Sequence, residues 1–273
     1  METLSQDLRR GRGKPPFREM KDPPKASDES VAQAWWAYDE EREGSPIRDI
    51  FAGQLRGVVE CQKCGYTSRS FDAVWDLQLP IPRKAQRGGG GGGGLFGMGS
   101  RMLGGGGGGG GCSLGDCLDE YTGEERMRGE GTWRCAKCKA SDSVRRTQLW
   151  RLPQVLVLQF KRFTFSTFRR SKVSTSVAMP GKSLDLGPYL ARGAPGARGG
   201  ERPVYELIGA SNHSGSIHGG HYTADCRNHD DGRWYRFNDS HVSSSTGVSG
   251  SAAYIAFYRL ASASTAAGRG ARL

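Results

Sequence analysis

Apolar residues recur along the chain with two periods, and the boundaries between them mark out its elements. In "SVAQAWWAY", Val31, Ala34, Trp35 and Tyr38 fall at the three- and four-residue intervals that place side chains on one helical face. Ser30 followed by Gln33 reads as a capping box, so a helix is expected to start there. "CSLGDCLDEYT" repeats the pattern, with Leu114, Cys117, Leu118 and Tyr121 on one face behind Ser113 as N-cap. Elsewhere the period is two. "SPIRDIFAGQLRGVVECQKCGYTS" runs through Val58 and Val59 into a cysteine pair and "SRSFDAVWDLQLPIP" alternates after it, as a hairpin with cysteines at its tip would. A second cysteine pair opens "CAKCKASDSVRRTQLWRLP", which reads as another strand pair. "QVLVLQF", just after Pro153, is a short unbroken apolar run of the kind that forms a buried central strand. "VYELIGAS", "HYTADCR", "RWYRFND" and "AYIAFYRL" supply four further strands, so the expected class is mixed α/β with strands dominant.

Composition limits how much of the chain can pack. With 42 glycines and two pure runs, Gly88–Gly94 and Gly104–Gly111, residues 83–111 read as a flexible insertion. Residues 189–202 and the tail 261–273 read as soft for the same reason. No apolar run is long enough to span a bilayer, and Met1 is followed by polar and basic sequence rather than a signal peptide, so an intracellular location, cytoplasmic or nuclear, is expected. The net charge of +11 raises a nucleic-acid-binding reading. Much of the excess falls in expected loops (Arg9, Arg10, Arg12 and Lys14; Arg192, Arg198 and Arg202; Arg269 and Arg272), with no basic helix or aromatic-interleaved basic strand. Solvated basic loops are the simpler account.

Four of the seven cysteines form two matching C-x-K-C pairs, Cys61 with Cys64 and Cys135 with Cys138. A two-residue spacer lets both sulfurs of a pair reach one ion, and four thiolates complete a tetrahedral zinc site with no position left for water. Such a site is structural. Two unrelated pairs of free or redox cysteines remain the alternative. His221 stands behind Gly219 and Gly220, with Asn238 and Asp239 on what would be the next strand. A carboxamide there could orient the imidazole through its second nitrogen, the base-and-orienter half of a Cys-His-Asn arrangement. A histidine that merely fills space at a strand end is equally consistent with these residues alone.

The blocks "NHSGSIHGGHYTADCRN", "WYRFNDSHV" and "AYIAFYRL" resemble the histidine box and end of a ubiquitin-specific protease catalytic domain, a papain-like cysteine peptidase. "IRDIFAGQLRGVVECQKCGYTSRSFDAVWDLQLPIP", "CSLGDCLDEYTGEE", "GTWRCAKCKA" and "LPQVLVLQFKRF" resemble the same family's blocks in the same order. The resemblance implies a central antiparallel sheet with a zinc-tipped β fingers extension, and hydrolysis of the bond after ubiquitin's C-terminal glycine. By position it implies His221 as general base, Asn238 as its orienter and Asp239 as a supporting neighbour, with Cys61, Cys64, Cys135 and Cys138 as zinc ligands. Gly219, Gly220, Tyr222, His213 and His218 would line or flank the channel for the ubiquitin tail, the two histidines from the loop before His221. Ubiquitin and ubiquitinated proteins are the implied partners.

The family's cysteine box, of the type "GNTCF", and its "QQDA" box are not in this sequence. Residues 1–260 are therefore expected to form a partial catalytic domain of fingers and C-terminal palm, with most of the helical thumb, the nucleophile and the oxyanion donor missing. Cys226 would face away from His221, Cys117 would be buried on a helix, and Cys112 would follow the glycines in a flexible loop. The chain alone is expected to be inactive. A protein that binds ubiquitin without cutting it and a basic zinc protein that binds nucleic acid remain the alternatives.

Overall fold

A computed structural model of the protein describes residues 2–11, 15–16, 26–87, 111–128, 133–165, 170–195, 197, 202–216 and 219–261. Helices α1 (Glu2–Asp7), α2 (Asp28–Glu43) and α3 (Pro46–Phe51) precede strands β1 (Gly53–Cys61), β2 (Thr67–Val74) and β3 (Leu77–Leu79). After α4 (Arg83–Arg87) come β4 (Gly111–Ser113), α5 (Leu114–Thr122), β5 (Glu125–Arg128), β6 (Asp142–Arg151) and β7 (Val155–Phe160). Short strands β8 (Phe163–Phe165), β9 (Arg170–Lys172), β10 (Ser176–Ala178) and β11 (Leu184–Asp185) lead to β12 (Val204–Ser216) and β13 (Gly219–Arg227). The last three are β14 (Trp234–Asn238), β15 (His241–Ser245) and β16 (Ala253–Leu260).

The strands form two main sheets. An antiparallel one, ordered β2-β1-β6-β5, builds the fingers, with one cysteine pair in the β1–β2 turn and the other in the segment joining β5 to β6. The larger sheet runs β15-β14-β13-β12-β16-β7-β3 with β11 paired on β12, antiparallel throughout except for β3 beside β7. Strand β6 belongs to the fingers, yet Leu149 and Trp150 near its end are buried at their base. There the two sheets share one interior.

Leu156, Leu158 and Phe160 of β7, Tyr205 and Leu207 of β12, and Ala256 and Tyr258 of β16 make the centre of the core, covered by Leu114, Cys117 and Leu118 of α5. Helix α5 stands where the sequence places it because Ser113 accepts from the Asp116 N–H while the Asp116 carboxylate accepts from the Ser113 N–H, a reciprocal capping box. A smaller cluster joins Val31 and Ala32 of α2 to Phe71, Trp150, Ala191 and Ala194.

Several expectations change. The cap of α2 is Ser27, whose Oγ accepts from the Ser30 N–H, so the helix starts before the Ser30–Gln33 box. Its buried face carries Ala32, and Ala34 is exposed, because the earlier start lets Asp28 turn toward the Arg56 and Arg69 guanidiniums of the fingers. The insertion read over 83–111 has α4 at one end and β4 at the other, and residues 88–110 lie outside the described residues. Cys112 is on β4, paired in parallel with β10, rather than in a loop. Residues 189–202 are not uniformly soft, since Ala191 and Ala194 are buried against Trp150 and α2. Strand β15 is an addition to the expected set. Tail residues 262–273 lie outside the described residues. Among the described residues no helix is long and apolar enough to cross a membrane.

Candidate functional site

At the fingertip the two cysteine pairs adopt the same local geometry. The N–H of the residue after each second cysteine donates to the carbonyl of the first, Gly65 to Cys61 and Lys139 to Cys135, both at 2.9 Å. The first cysteine's N–H closes each knuckle onto Tyr66 and Ala140, also at 2.9 Å. This fold requires a left-handed backbone at the fifth position, and Gly65 and Lys139 have φ of 67° and 62°. The four sulfurs come together, with Cys61 3.5 Å from Cys138, Cys64 3.7 Å from Cys135, and all four Sγ atoms within 4.8 Å of one another. Zinc–sulfur bonds of about 2.3 Å give a tetrahedron with edges of about 3.8 Å. The tetrad suits structural zinc, and it unites cysteines more than seventy residues apart in the chain.

The second site lies on the larger sheet. Strands β12 and β13 form a hairpin in which Ser214 faces His221 and His213 faces Tyr222. Strand β14 pairs with β13 from Arg227↔Trp234 to Ala224↔Phe237, and the pairing then stops. Beyond that point His221 Nε2 lies 2.5 Å from Asn238 Oδ1. A carboxamide oxygen only accepts, so Nε2 carries the hydrogen and Nδ1 keeps its lone pair. Asp239 takes the left-handed conformation, φ 48°, in the tight β14–β15 turn, and its Oδ2 is 4.0 Å from His221 Nε2. The imidazole is about half exposed.

The residues named for the ubiquitin tail separate into two environments. His213 sits on β12 rather than on a loop, because strand pairing with β13 extends to Ser216↔Gly219. It is buried, packs 4.8 Å from the Tyr222 ring and 5.5 Å from that of Phe163, and its Nδ1 has no hydrogen-bond partner. Burial, aided by Lys172, holds its pKa below the ordinary histidine range. Gly220 serves this packing, since a Cβ there would lie 2.2 Å from His213 Nε2 and 2.3 Å from the Ser214 carbonyl oxygen. Gly219 differs, for a Cβ there meets nothing within 4 Å. Tyr222 is exposed on the face of β13 opposite His221. His218 lies outside the described residues.

One group went unread in the sequence. Asp225 is fully buried and accepts from Arg236 through Nε and Nη2, both at 3.0 Å, from Asn212 Nδ2 at 2.7 Å and from Ser245 Oγ at 2.9 Å. Burial alone would raise its pKa; these donors outweigh burial and lower it. The available signal was an acidic residue four residues, two alternations, from His221 in "HYTADC" and an arginine two residues, one alternation, from Asn238 in "YRFN".

Among the described residues, no cysteine is hydrogen-bonded to His221. Cys226 is five residues from His221 on one strand, facing the other way, and burial raises its pKa. Cys112 of β4 and Cys117 of α5 lie 3.8 Å apart, and burial pushes both thiols up.

Residues 1–258 match the family model described as ubiquitin carboxyl-terminal hydrolase. Ubiquitin carboxyl-terminal hydrolase 2 of Gallus gallus is 39% identical over 241 residues, which is 87% of this chain and 59% of that protein. Ubiquitin carboxyl-terminal hydrolase 21 of Homo sapiens is 36% identical over 240 residues, which is 87% of this chain and 37% of that protein. Among solved structures, the SAGA DUB module Ubp8/Sgf11/Sus1/Sgf73 bound to ubiquitin aldehyde aligns with a TM-score of 0.62 at 25% identity, over 86% of this chain and 47% of that one. The chain thus spans less than two thirds of each of these relatives.

Proposed function

Because the chain belongs to the ubiquitin carboxyl-terminal hydrolase family, we propose that it carries the ubiquitin-gripping fingers and the base half of a thiol-dependent deubiquitinase. The observation that supports this most directly is the 2.5 Å bond from His221 Nε2 to Asn238 Oδ1, which leaves Nδ1 as a proton acceptor. In this reading Nδ1 takes the proton of a cysteine thiol. The thiolate then attacks the carbonyl carbon of ubiquitin's C-terminal glycine, and the imidazolium returns the proton to the departing amine as the thioester forms. A water molecule, deprotonated by the same nitrogen, opens the thioester; ubiquitin leaves as a carboxylate and the thiol is restored. Asn238 keeps the ring in one tautomer through both halves.

In this reading the attacking thiol is not one of the seven cysteines, and the surroundings of each support that. Four suit the zinc tetrad, Cys117 is buried and Cys112 half-buried, both with raised pKa values, and Cys226 faces away from His221. Zinc would be held by Cys61, Cys64, Cys135 and Cys138, fixing the fingertip and taking no part in proton transfer. The open side of Gly219 suits passage of a glycine tail. A cleft of about 780 Å³, lined by Asp119, Tyr121, Arg145 and Lys161 between α5 and β6, is the concavity where a gripped globular partner would meet the palm.

Incubating the 273-residue protein with ubiquitin bearing a thiol-reactive C-terminal group, beside a binding assay with plain ubiquitin, tests the reading. Binding without a covalent adduct is expected. An adduct that disappears in His221→Ala would place the nucleophile among Cys112, Cys117 and Cys226 after all, and absence of both binding and adduct would remove the ubiquitin assignment.

A further inference from the structure

The His221–Asn238 bond spans two strands at a point where their backbone pairing has ended. Backbone pairing runs only to Ala224↔Phe237, so the ladder itself does not fix the distance between the two side chains. Strand alternation puts His221, Thr223 and Asp225 on one face of β13, and Asn238 and Arg236 on the same face of β14. On that face the nearest rung of side chains is Asp225 with Arg236. The Asp225 carboxylate also holds Asn212 on β12 and Ser245 on β15, so one buried charge ties four consecutive strands together beside the dyad.

We propose that Asp225 is a positioning residue for His221, acting through the bidentate pair with Arg236 to hold the end of β14 so that Asn238 Oδ1 stays on Nε2. The inference rests on the proposed role of His221 only for its consequence in catalysis; the geometry it concerns exists in the free protein. Three features carry it. The pair is bidentate, which fixes angle as well as distance. The carboxylate is wholly buried, so its loss leaves the buried Asn212 amide without its partner and releases the half-exposed Arg236 side chain from the sheet. Arg236 is two residues from Asn238, so any shift of its backbone is passed to the carboxamide within one strand alternation.

The test is the exchange of the His221 Nε2–H proton with water, followed by nitrogen-15 NMR of the zinc-loaded 273-residue protein with no substrate present. Asp225→Asn removes the charge, and Arg236→Lys keeps a cation but loses the fork. Glu206→Gln is the control, since it breaks an ion pair to Arg227 between β12 and β13 that lies six residues along β13 from His221 and touches none of the Asp225 partners. Exchange about tenfold faster in Asp225→Asn is expected, the loss of a hydrogen bond to a charged group being a change of that order. Arg236→Lys should show a smaller increase and Glu206→Gln none. Should Asp225→Asn unfold the sheet, Ser245→Ala, which removes a single donor, serves in its place with an increase of about threefold. Exchange equal to wild type in Arg236→Lys and in whichever of Asp225→Asn and Ser245→Ala is folded would overturn the proposal. If exchange responds as expected while the ubiquitin assay fails, the positioning role stands and the deubiquitinase reading falls.

Discussion

Two adjacent glycines show how much a single residue's neighbours decide. From the sequence, Gly219 and Gly220 look equivalent, both placed before His221 as space for an extended tail. The buried imidazole of His213 separates them. Gly220→Ala would drive a methyl group against that ring and the Ser214 carbonyl, neither of which can give way without moving the hairpin. A loss of about 1–3 kcal/mol in urea unfolding is expected, the usual cost of overpacking. Gly219→Ala meets open space and should stay within about 0.5 kcal/mol of wild type in the same measurement. If it nonetheless weakens capture of ubiquitin, the tail passes Gly219. Equal destabilisation by both would show that His213 does not govern the packing here. The His221–Asn238 bond itself was legible, because a histidine and a carboxamide seventeen residues apart fit one return of the chain. Asp225 and the burial of His213 were not. A carboxylate inside a sheet and a histidine under a tyrosine depend on which strands lie on either side, and alternation in one strand does not carry that.

At the scale of elements, the cysteine knuckles were the most legible feature, since C-x-K-C spacing demands a tight turn and two such turns supply four ligands. The strands with strong apolar alternation were found for the same reason. Strand β15, "HVSSS", was missed because it lies at the sheet edge, where four of its five residues are exposed and only one is apolar. The start of α2 was misplaced because its cap acts from Ser27, before the apolar period begins. The matched knuckles also carry a prediction. Lys139 holds the left-handed position that Gly65 fills in the other knuckle, at a steric cost glycine avoids. Lys139→Gly should therefore stabilise the zinc-loaded protein by about 0.5–1 kcal/mol in urea unfolding, net of the greater entropy of a glycine in the unfolded chain. No gain would mean that Lys139 makes a compensating contact through its side chain. Removal of zinc by a chelator acts on the same element. Backbone amides of the β1–β2 and β5–β6 tips should lose hydrogen-exchange protection while those of β7, β12 and β16, in the core, keep theirs. Loss of protection throughout would mean that fingers and palm unfold as one unit.

Across the whole molecule, two buried ionisable side chains on neighbouring strands make stability depend on pH in one direction. His213 is held neutral by burial, so its pKa in the folded protein lies below the value of about 6.5 that it regains on unfolding. As pH falls through about 6.5, the unfolded chain takes up a proton that the folded one refuses, and stability declines until the folded-state pKa is passed. Asp225 works further down the scale. Its folded pKa is depressed below about 3.9 by Arg236, Asn212 and Ser245, so its contribution is complete above that value and drains away as pH falls toward the folded pKa. Both groups bind protons more readily unfolded, which makes acid loss additive and gives it two stages. Urea midpoints measured from about pH 8 to about pH 3 should fall first below about 6.5 and again below about 4. His213→Phe, which keeps an aromatic ring against Tyr222 and Phe163 but cannot ionise, should flatten the first stage and leave the second. The hairpin that presents His221 is the part these two residues brace, through Tyr222 on one face of β13 and Arg236 on the other. Hydrogen exchange in β13 and β14 should therefore quicken at mildly acidic pH before it does in β7 or β16. A wild-type midpoint that is flat from about pH 7 to about pH 5 would show that His213 is not held neutral and that the brace on the Tyr222 face is not titratable.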